Sequence, residues 1–316
     1  MNRPYRMAGP WTRPCLKPTN EEARGKRLHP ILLKIGGFQL PTYGLLLALA
    51  LLTAIITADR LGRREGFDGN RMLDFSTWII LVGLLGAKVL MIISDWSEYR
   101  QDPGQIFSWN TLEAGGVFYG GFIASAFFAW WYVRTYRLPA LKMFDIYAPA
   151  VALAQSVGRL GCFSAGCDYG TRTSSFFGVV FTNPYSHEVT GVPLNTRIHP
   201  TQLYESLATL VIGCILLWRY RHKKKDGEIF LIYITLYAVA RFFLEFLRGD
   251  EDRGFVFHHL LSTSQFIALL ALVAAGALWS YLQRQPQAVP LAGAAPGSPK
   301  RQPVARGVTV SRVGRS

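Results

Sequence analysis

Apolar runs of 16–23 residues alternate along the chain with short polar connections, seven times in all. The runs cover about residues 43–58, 75–94, 115–133, 144–159, 201–218, 228–248 and 260–282. About 20 apolar residues cross a hydrocarbon core as a helix. The pattern therefore predicts an all-α, polytopic membrane protein with about seven transmembrane helices. Trp78, Trp130, Trp131, Trp218 and Trp279 lie near segment ends, where interfacial aromatics belong. The fourth run is the least regular, since it carries Asp145, Pro149 and Gln155. No internal repeat is visible, so an inverted-repeat transporter gains no support.

Composition agrees with this reading. Half of the 316 residues are hydrophobic and 17% are charged, against about 25% in soluble domains. Mean hydropathy is +0.19 despite polar ends. The formal charge of +14 would suit a nucleic-acid partner, but the basic residues cluster at the ends of apolar runs, so no nucleic acid is expected. The connections after the first, third and fifth runs, with the C-terminal tail, hold 18 Lys or Arg. The opposite side holds four: Arg100, Arg172, Arg197 and Arg253. The positive-inside rule places the first set, and the C-terminus, in the cytoplasm. Residues 1–34 run against it with eight Lys or Arg; either they are not translocated or the true start lies downstream of Met1.

Three parts follow. Residues 1–34 are a basic segment expected to be disordered, 35–283 the transmembrane domain, and 284–316 a disordered basic tail without an acidic residue. The longest internal connection, residues 161–200, joins the fourth and fifth spans on the outer, periplasmic side, with short strands expected near Phe176–Phe181. A connection of that length is usually functional.

The chemistry clusters at the outer ends of the runs. Gly158-Arg159-Leu160-Gly161 closes the fourth run, and Gly166 and Gly170 follow. Arg159 is either a snorkelling side chain or a ligand for phosphate, whose oxygens its planar fork matches. Arg241, Glu245 and Arg248 stand at i, i+4 and i+7, on one helical face, and three charges there avoid lipid. They read as an internal ion pair with positive charge left over. His199-Pro200-Thr201-Gln202-Leu203-Tyr204-Glu205 opens the fifth run, with Glu205 a base or an arginine partner and His199 a loop histidine or proton carrier. Gly115-Gly116-Val117-Phe118-Tyr119-Gly120-Gly121 opens the third, as close helix packing or as a slot for lipid beside the Tyr119 hydroxyl. Tyr43-Gly44 opens the first, and Lys88 adds a cation within the second. Together they suggest a cation-rich pocket in the outer half of the membrane, suited to a phospholipid head group. Cys162 and Cys167, spaced C-x4-C, read as packing residues, or as a disulfide in an oxidising compartment. As a metal site they lack a second pair.

These blocks, in this order, resemble the bacterial prolipoprotein diacylglyceryl transferases over about residues 41–282. The carriers are Gly158-Arg159-Leu160-Gly161 with Phe163, Gly166 and Gly170; the paired glycines around Tyr119; His199-Pro200 through Glu205; Arg241, Glu245 and Arg248; and Tyr43-Gly44. The resemblance implies transfer of the diacylglyceryl group of phosphatidylglycerol to the lipobox cysteine of a prolipoprotein, in the inner membrane, with no metal or cofactor. It implies catalytic roles for Arg159, Arg241, Glu205 and Tyr119. It implies phospholipid contacts from Arg159, Arg241, Arg248, Tyr43, Gly170, His199, Gln202, Tyr204 and Glu245. Membrane lipids and the prolipoprotein signal peptide are the partners. Three positions depart from the family pattern: Tyr119 stands for a histidine, Cys162 for an asparagine and Cys167 for an acidic residue. Tyrosine ionises near ~10, so Glu205 or Asp168 could replace Tyr119 as base. The alternative is a non-catalytic phospholipid-binding or transporting protein of the same fold.

Overall fold

A computed structural model describes residues 31–35, 38–108, 111, 116–250, 254–256 and 260–284. The basic segments expected at 1–34 and 284–316 lie almost wholly outside these residues, as do Gly115 and Arg253. The helices are α1 (Thr42–Arg64), α2 (Gly69–Ser94), α3 (Trp96–Tyr99), α4 (Phe118–Thr135), α5 (Ala140–Ala165), α6 (Pro184–Thr190), α7 (Thr201–Tyr220), α8 (Glu228–Leu244) and α9 (Thr263–Gln283). Two 3-10 turns, Pro103–Phe107 and Glu245–Leu247, accompany these helices among the described residues. Three two-stranded antiparallel pairs accompany them: β1 (Ile31–Ile35) with β2 (Phe38–Pro41), β3 (Val179–Val180) with β4 (Arg197–Ile198), and β5 (Phe255–Val256) with β6 (Leu261–Ser262). Strand β3 falls where the sequence suggested one. Strand β1 straddles the expected boundary at residue 34.

Among the described residues, five helices are long and apolar enough to cross a membrane: Thr42–Arg64, Gly69–Ser94, Thr201–Tyr220, Glu228–Leu247 and Thr263–Gln283. The third and fourth apolar runs are also helical, as α4 and α5. Glycines and Trp130, Trp131 and Tyr132 dilute α4, while Lys142, Asp145 and Arg159 dilute α5. Large side chains such as Leu85 and Val273, 65% and 72% exposed, cover the outer faces of α2 and α9. Their exposure suits a lipid surround.

Helix α5 is the hub, packed against α1, α7 and α8, while α2 packs on α4 and α9 on α8. The α2–α4 contact explains the paired glycines of the third run. A Cβ on Gly120 would lie 2.4 Å from the Gly86 carbonyl, so the two backbones touch there, the close-packing role.

Asp145, the awkward residue of the fourth run, is fully buried and has a local purpose. Its carboxylate accepts from the Gly227 and Phe230 amides at 2.8 and 3.0 Å, capping the start of α8 from a neighbouring helix. Gln155 is also satisfied, by the Tyr233 hydroxyl at 3.0 Å. Around Asp145 a charged network gathers the same end of α1, α5, α7 and α8. Lys223 reaches Glu65 at 2.6 Å, Asp226 at 3.3 Å and Asp145 at 3.6 Å. Lys142 reaches Glu65 at 3.5 Å, and the Tyr220 hydroxyl donates to Glu65 at 3.1 Å. Burial alone would raise the Glu65 carboxyl, but the hydrogen bond and charge of Lys223 outweigh it and hold Glu65 below its ordinary range. Burial alone would lower the Lys223 ammonium, but Glu65 and Asp145 leave it raised.

Removing one member of a buried ion network strands its partners, at about 3–5 kcal/mol. Lys223→Met is therefore expected to cost stability in that range and to lower the detergent-solubilised melting temperature clearly. A depressed carboxyl stabilises above its unfolded pKa, about 4.3 for glutamate. The Glu65 contribution is then lost as pH falls through its lower folded value, so Glu65→Gln should flatten that acid limb. The raised Lys223 contributes below about 10.4 and loses that contribution as pH rises through its higher folded value. Thermal melts from pH 3 to 11, for both variants, check the two signs.

Candidate active site

At the opposite end of the bundle, α5 ends on Gly166, whose φ of 93° reverses the chain. That left-handed turn suits glycine. Residues 169–171 then run between two partners. The Gly170 amide donates to the His199 carbonyl at 3.1 Å and the His199 amide to Thr171 at 2.9 Å. On the other side the Thr171 amide donates to Leu247 at 2.8 Å and the Gly249 amide to Tyr169 at 3.0 Å. Gly170 is pinched between them: a Cβ would stand 2.4 Å from the His199 carbonyl and 2.9 Å from that of Leu247. The turn is also pinned by α7. Thr201 donates to the Asp168 carbonyl and Gln202 Nε2 to the Cys167 carbonyl, each at 2.6 Å.

This framework brings three arginines onto four carboxylates. Arg159 binds Asp168 through Nη1 at 2.5 Å and Glu205 through Nη2 at 2.9 Å. Arg241 binds Glu245 at 2.9 Å and Ser264 Oγ at 3.0 Å, and lies 4.0 Å from Glu205. Arg248 pairs with Asp168 and with both oxygens of Asp250, at 2.7 and 2.6 Å. The Tyr237 hydroxyl donates to Glu205 at 3.3 Å. Glu205 and Glu245 are buried, while the Asp168 side chain keeps 30% of its surface.

The expected site residues separate accordingly. Arg159, Arg241, Arg248, Glu205 and Glu245 meet, and Gly170 and Gln202 shape the turn that holds Asp168. Tyr43 begins α1 beside α5, its ring 3.3 Å from where a Cβ on Gly161 would stand. His199 is tied through its backbone, and its ring meets the Tyr204 hydroxyl at 3.3 Å. Tyr119 is 54% exposed at the start of α4, edge-on to Phe118. Lys88 donates to the Thr111 carbonyl at 2.5 Å. Two expectations change. The stripe 241-245-248 breaks, because α8 tightens after Leu244 and Arg248 turns extended (φ −78°, ψ 136°) toward Asp168. The site is also not cation-rich, since Asp168 and Asp250 join the glutamates and four carboxylates meet three arginines. Asp250, Tyr237 and Ser264 were missed. Only Tyr237, one turn before Arg241, carried a sequence signal.

Cys162, Cys167 and Asp168 hold their donor atoms within 4.8 Å of one another. Both Asp168 oxygens are engaged by arginines, so the trio does not fit a metal ion.

The fold and this site define a polytopic helical membrane protein with an arginine–carboxylate centre at one end of its bundle. A model of the prolipoprotein diacylglyceryl transferase family matches residues 30–281. A phosphatidylglycerol–prolipoprotein diacylglyceryl transferase of Clostridium tetani is 38% identical, over 78% of this chain and 94% of that protein. A second enzyme of that name, from Clostridium perfringens, is 35% identical over 77% and 91%. One from Finegoldia magna is 32% identical over 76% and 90%. The chain belongs to the prolipoprotein diacylglyceryl transferase family.

Gly170→Ala is expected to break the pinched turn. Overpacking typically costs about 1–3 kcal/mol, and here the obstacle is backbone. The variant should show a lowered melting temperature and exposure of 161–200 to limited proteolysis.

Proposed function

We propose that the chain transfers the sn-1,2-diacylglyceryl group of phosphatidylglycerol to the lipobox cysteine of a prolipoprotein. The observation that carries this reading is the triple-arginine centre, within a chain of which 78% matches a transferase of that name. The cysteine thiolate attacks the glyceryl carbon. A carbon–sulfur bond forms, the carbon–oxygen bond to phosphate breaks, and glycerol 1-phosphate leaves with the proton that the thiol gave up. Arg159 and Arg241 neutralise the phosphate as it leaves, and Arg248 orients it. Glu205, in contact with Arg159 and close to Arg241, takes the thiol proton, because thiolate is the nucleophile. Tyr119, on the exposed start of α4, suits contact with an acyl chain or the peptide better than proton transfer. Phosphate competes with carboxylates already in place, and Asp168, the most exposed of the four, is the one it displaces.

In this reading α4 and α5 also cross the inner membrane, giving seven spans with the site outside and the C-terminus in the cytoplasm. The loop charges support that orientation. The up-and-down path, which gathers Tyr43, Arg159, Glu205 and Arg248 at one end of the bundle and Glu65, Asp145 and Lys223 at the other, supports the number of spans.

Labelled phosphatidylglycerol and a lipobox peptide test the reaction. Label should appear on the peptide cysteine. Arg159→Ala and Arg241→Ala should each reduce the rate by about 10²-fold or more, and Glu205→Gln by a similar factor with phospholipid binding retained. An unlabelled peptide, with a known transferase active alongside, would overturn the reading in favour of a phospholipid-binding protein.

A further inference from the structure

Two thiols at the centre take no part in the reaction described above, and their surroundings are particular. Cys162 lies in the last turn of α5 and Cys167 just beyond Gly166, so the left-handed turn folds one back over the other. Their sulfurs lie within 4.8 Å, both are free, and both are only partly buried. The Cys167 thiol points back to the Cys162 carbonyl at 3.7 Å, and Cys162 Sγ is 3.9 Å from Arg159 Nη1. A metal ion is disfavoured there by the guanidinium and by the engagement of Asp168. A guanidinium beside a thiol favours the thiolate, the form that attacks a disulfide.

We propose that Cys162 and Cys167 form a dithiol–disulfide site that controls the arginine centre. In closure both S–H bonds break and one S–S bond forms. Two protons and two electrons pass to a disulfide oxidant, a protein disulfide or oxidised glutathione, which becomes two thiols. Closure takes Cys162 Sγ from Arg159 and draws Cys167 toward α5. Asp168 is the next residue, and it bridges Arg159 to Arg248. Its backbone and that of Cys167 are held by Thr201 and Gln202, so the strain of closure falls on the bridge. The oxidised form is the less active one. The control rests on the proposed transfer and on an outward-facing site; the bond itself rests only on the geometry of the turn.

The test uses the full chain in membranes, poised with oxidised glutathione or dithiothreitol. Samples are acid-quenched, denatured and labelled with a maleimide polymer that adds a countable mass per thiol. The chain has four cysteines. Reduced protein should carry four adducts and oxidised monomer two, whereas Cys162→Ser and Cys167→Ser should carry three under both conditions. Transfer by the oxidised wild type should fall about tenfold, within the range that a misplacement of about 1 Å produces. Dithiothreitol should restore it, and the serine variants should ignore the oxidant. Four adducts after oxidation, or loss of adducts only in a cross-linked dimer, would overturn the site. Two adducts with unchanged transfer would overturn the control. Since thiols are counted without any turnover, failure of the transferase reading would register separately, as an inactive reduced protein.

Discussion

A guanidinium at the end of an apolar helix bundle must be met by negative charge, and much of this fold follows from how Arg159 is met. Its two carboxylates come from different places: Asp168 from the turn after α5, Glu205 from the first turns of α7. Each is shared with a further arginine, Asp168 with Arg248 and Glu205, more distantly, with Arg241. One electrostatic requirement thus ties α5, the 166–170 turn, α7 and the end of α8 into a single arrangement. A buried ion cluster of this kind is weak evidence for stability, because desolvation offsets most of the attraction. Its value is geometric. Four segments that share charges cannot drift independently, so the arginines are positioned before any anion arrives, the condition under which electrostatic stabilisation is most effective.

The hub helix carries the constraint to the far end of the bundle. From Asp145 to Arg159 is 14 residues, about 21 Å of helix. At one end Asp145 caps α8 beside Lys223 and Glu65; at the other Arg159 joins Asp168 and Glu205. Both ends therefore fix α8 relative to α5, once at its first residues and once through Arg241 and Arg248. The apolar middle supplies packing but little directional information, since side-chain packing tolerates volume-conserving exchange. The two charged ends supply register.

The local features were readable from the chain and the non-local ones were not. Apolar runs of helix-spanning length located the helices, and the charge at their ends agreed with a membrane setting, because both depend on neighbouring residues alone. Arg159, Glu205 and Arg241 stood out as charges within apolar runs. Asp145 stood out too, but its partners are the amides of residues 227 and 230, so sequence could only register it as an irregularity. The helical spacing of Arg241, Glu245 and Arg248 assumed an unbroken helix. The 3-10 tightening after Leu244 spared the first pair and sent Arg248 elsewhere. The three-way contact among residues 170, 199 and 248 joins segments about 30 and 80 positions apart, and no periodicity encodes such a register. Tyr119 drew attention through its flanking glycines, which serve the α2–α4 contact.

Arginine, rather than lysine, suits this centre because of what an incoming anion must do. The three guanidiniums face four carboxylates, so in the proposed transfer a phosphate would not enter an uncompensated positive pocket; it would exchange for a carboxylate. A planar fork can release one partner and keep the other, since its N–H groups point along fixed, separate directions. Arg159 has this arrangement, with Asp168 on one terminal nitrogen and Glu205 on the other. A lysine would present one flexible point charge to all comers, and loss of one carboxylate would loosen its grip on the second. In the proposed transfer, exchange at Asp168 would leave the Glu205 pair in place, so Arg159 would keep its aim as the phosphate arrived. In the same proposal Asp168, held from both sides and still partly open to solvent, is the residue whose position would decide whether the centre is closed or ready.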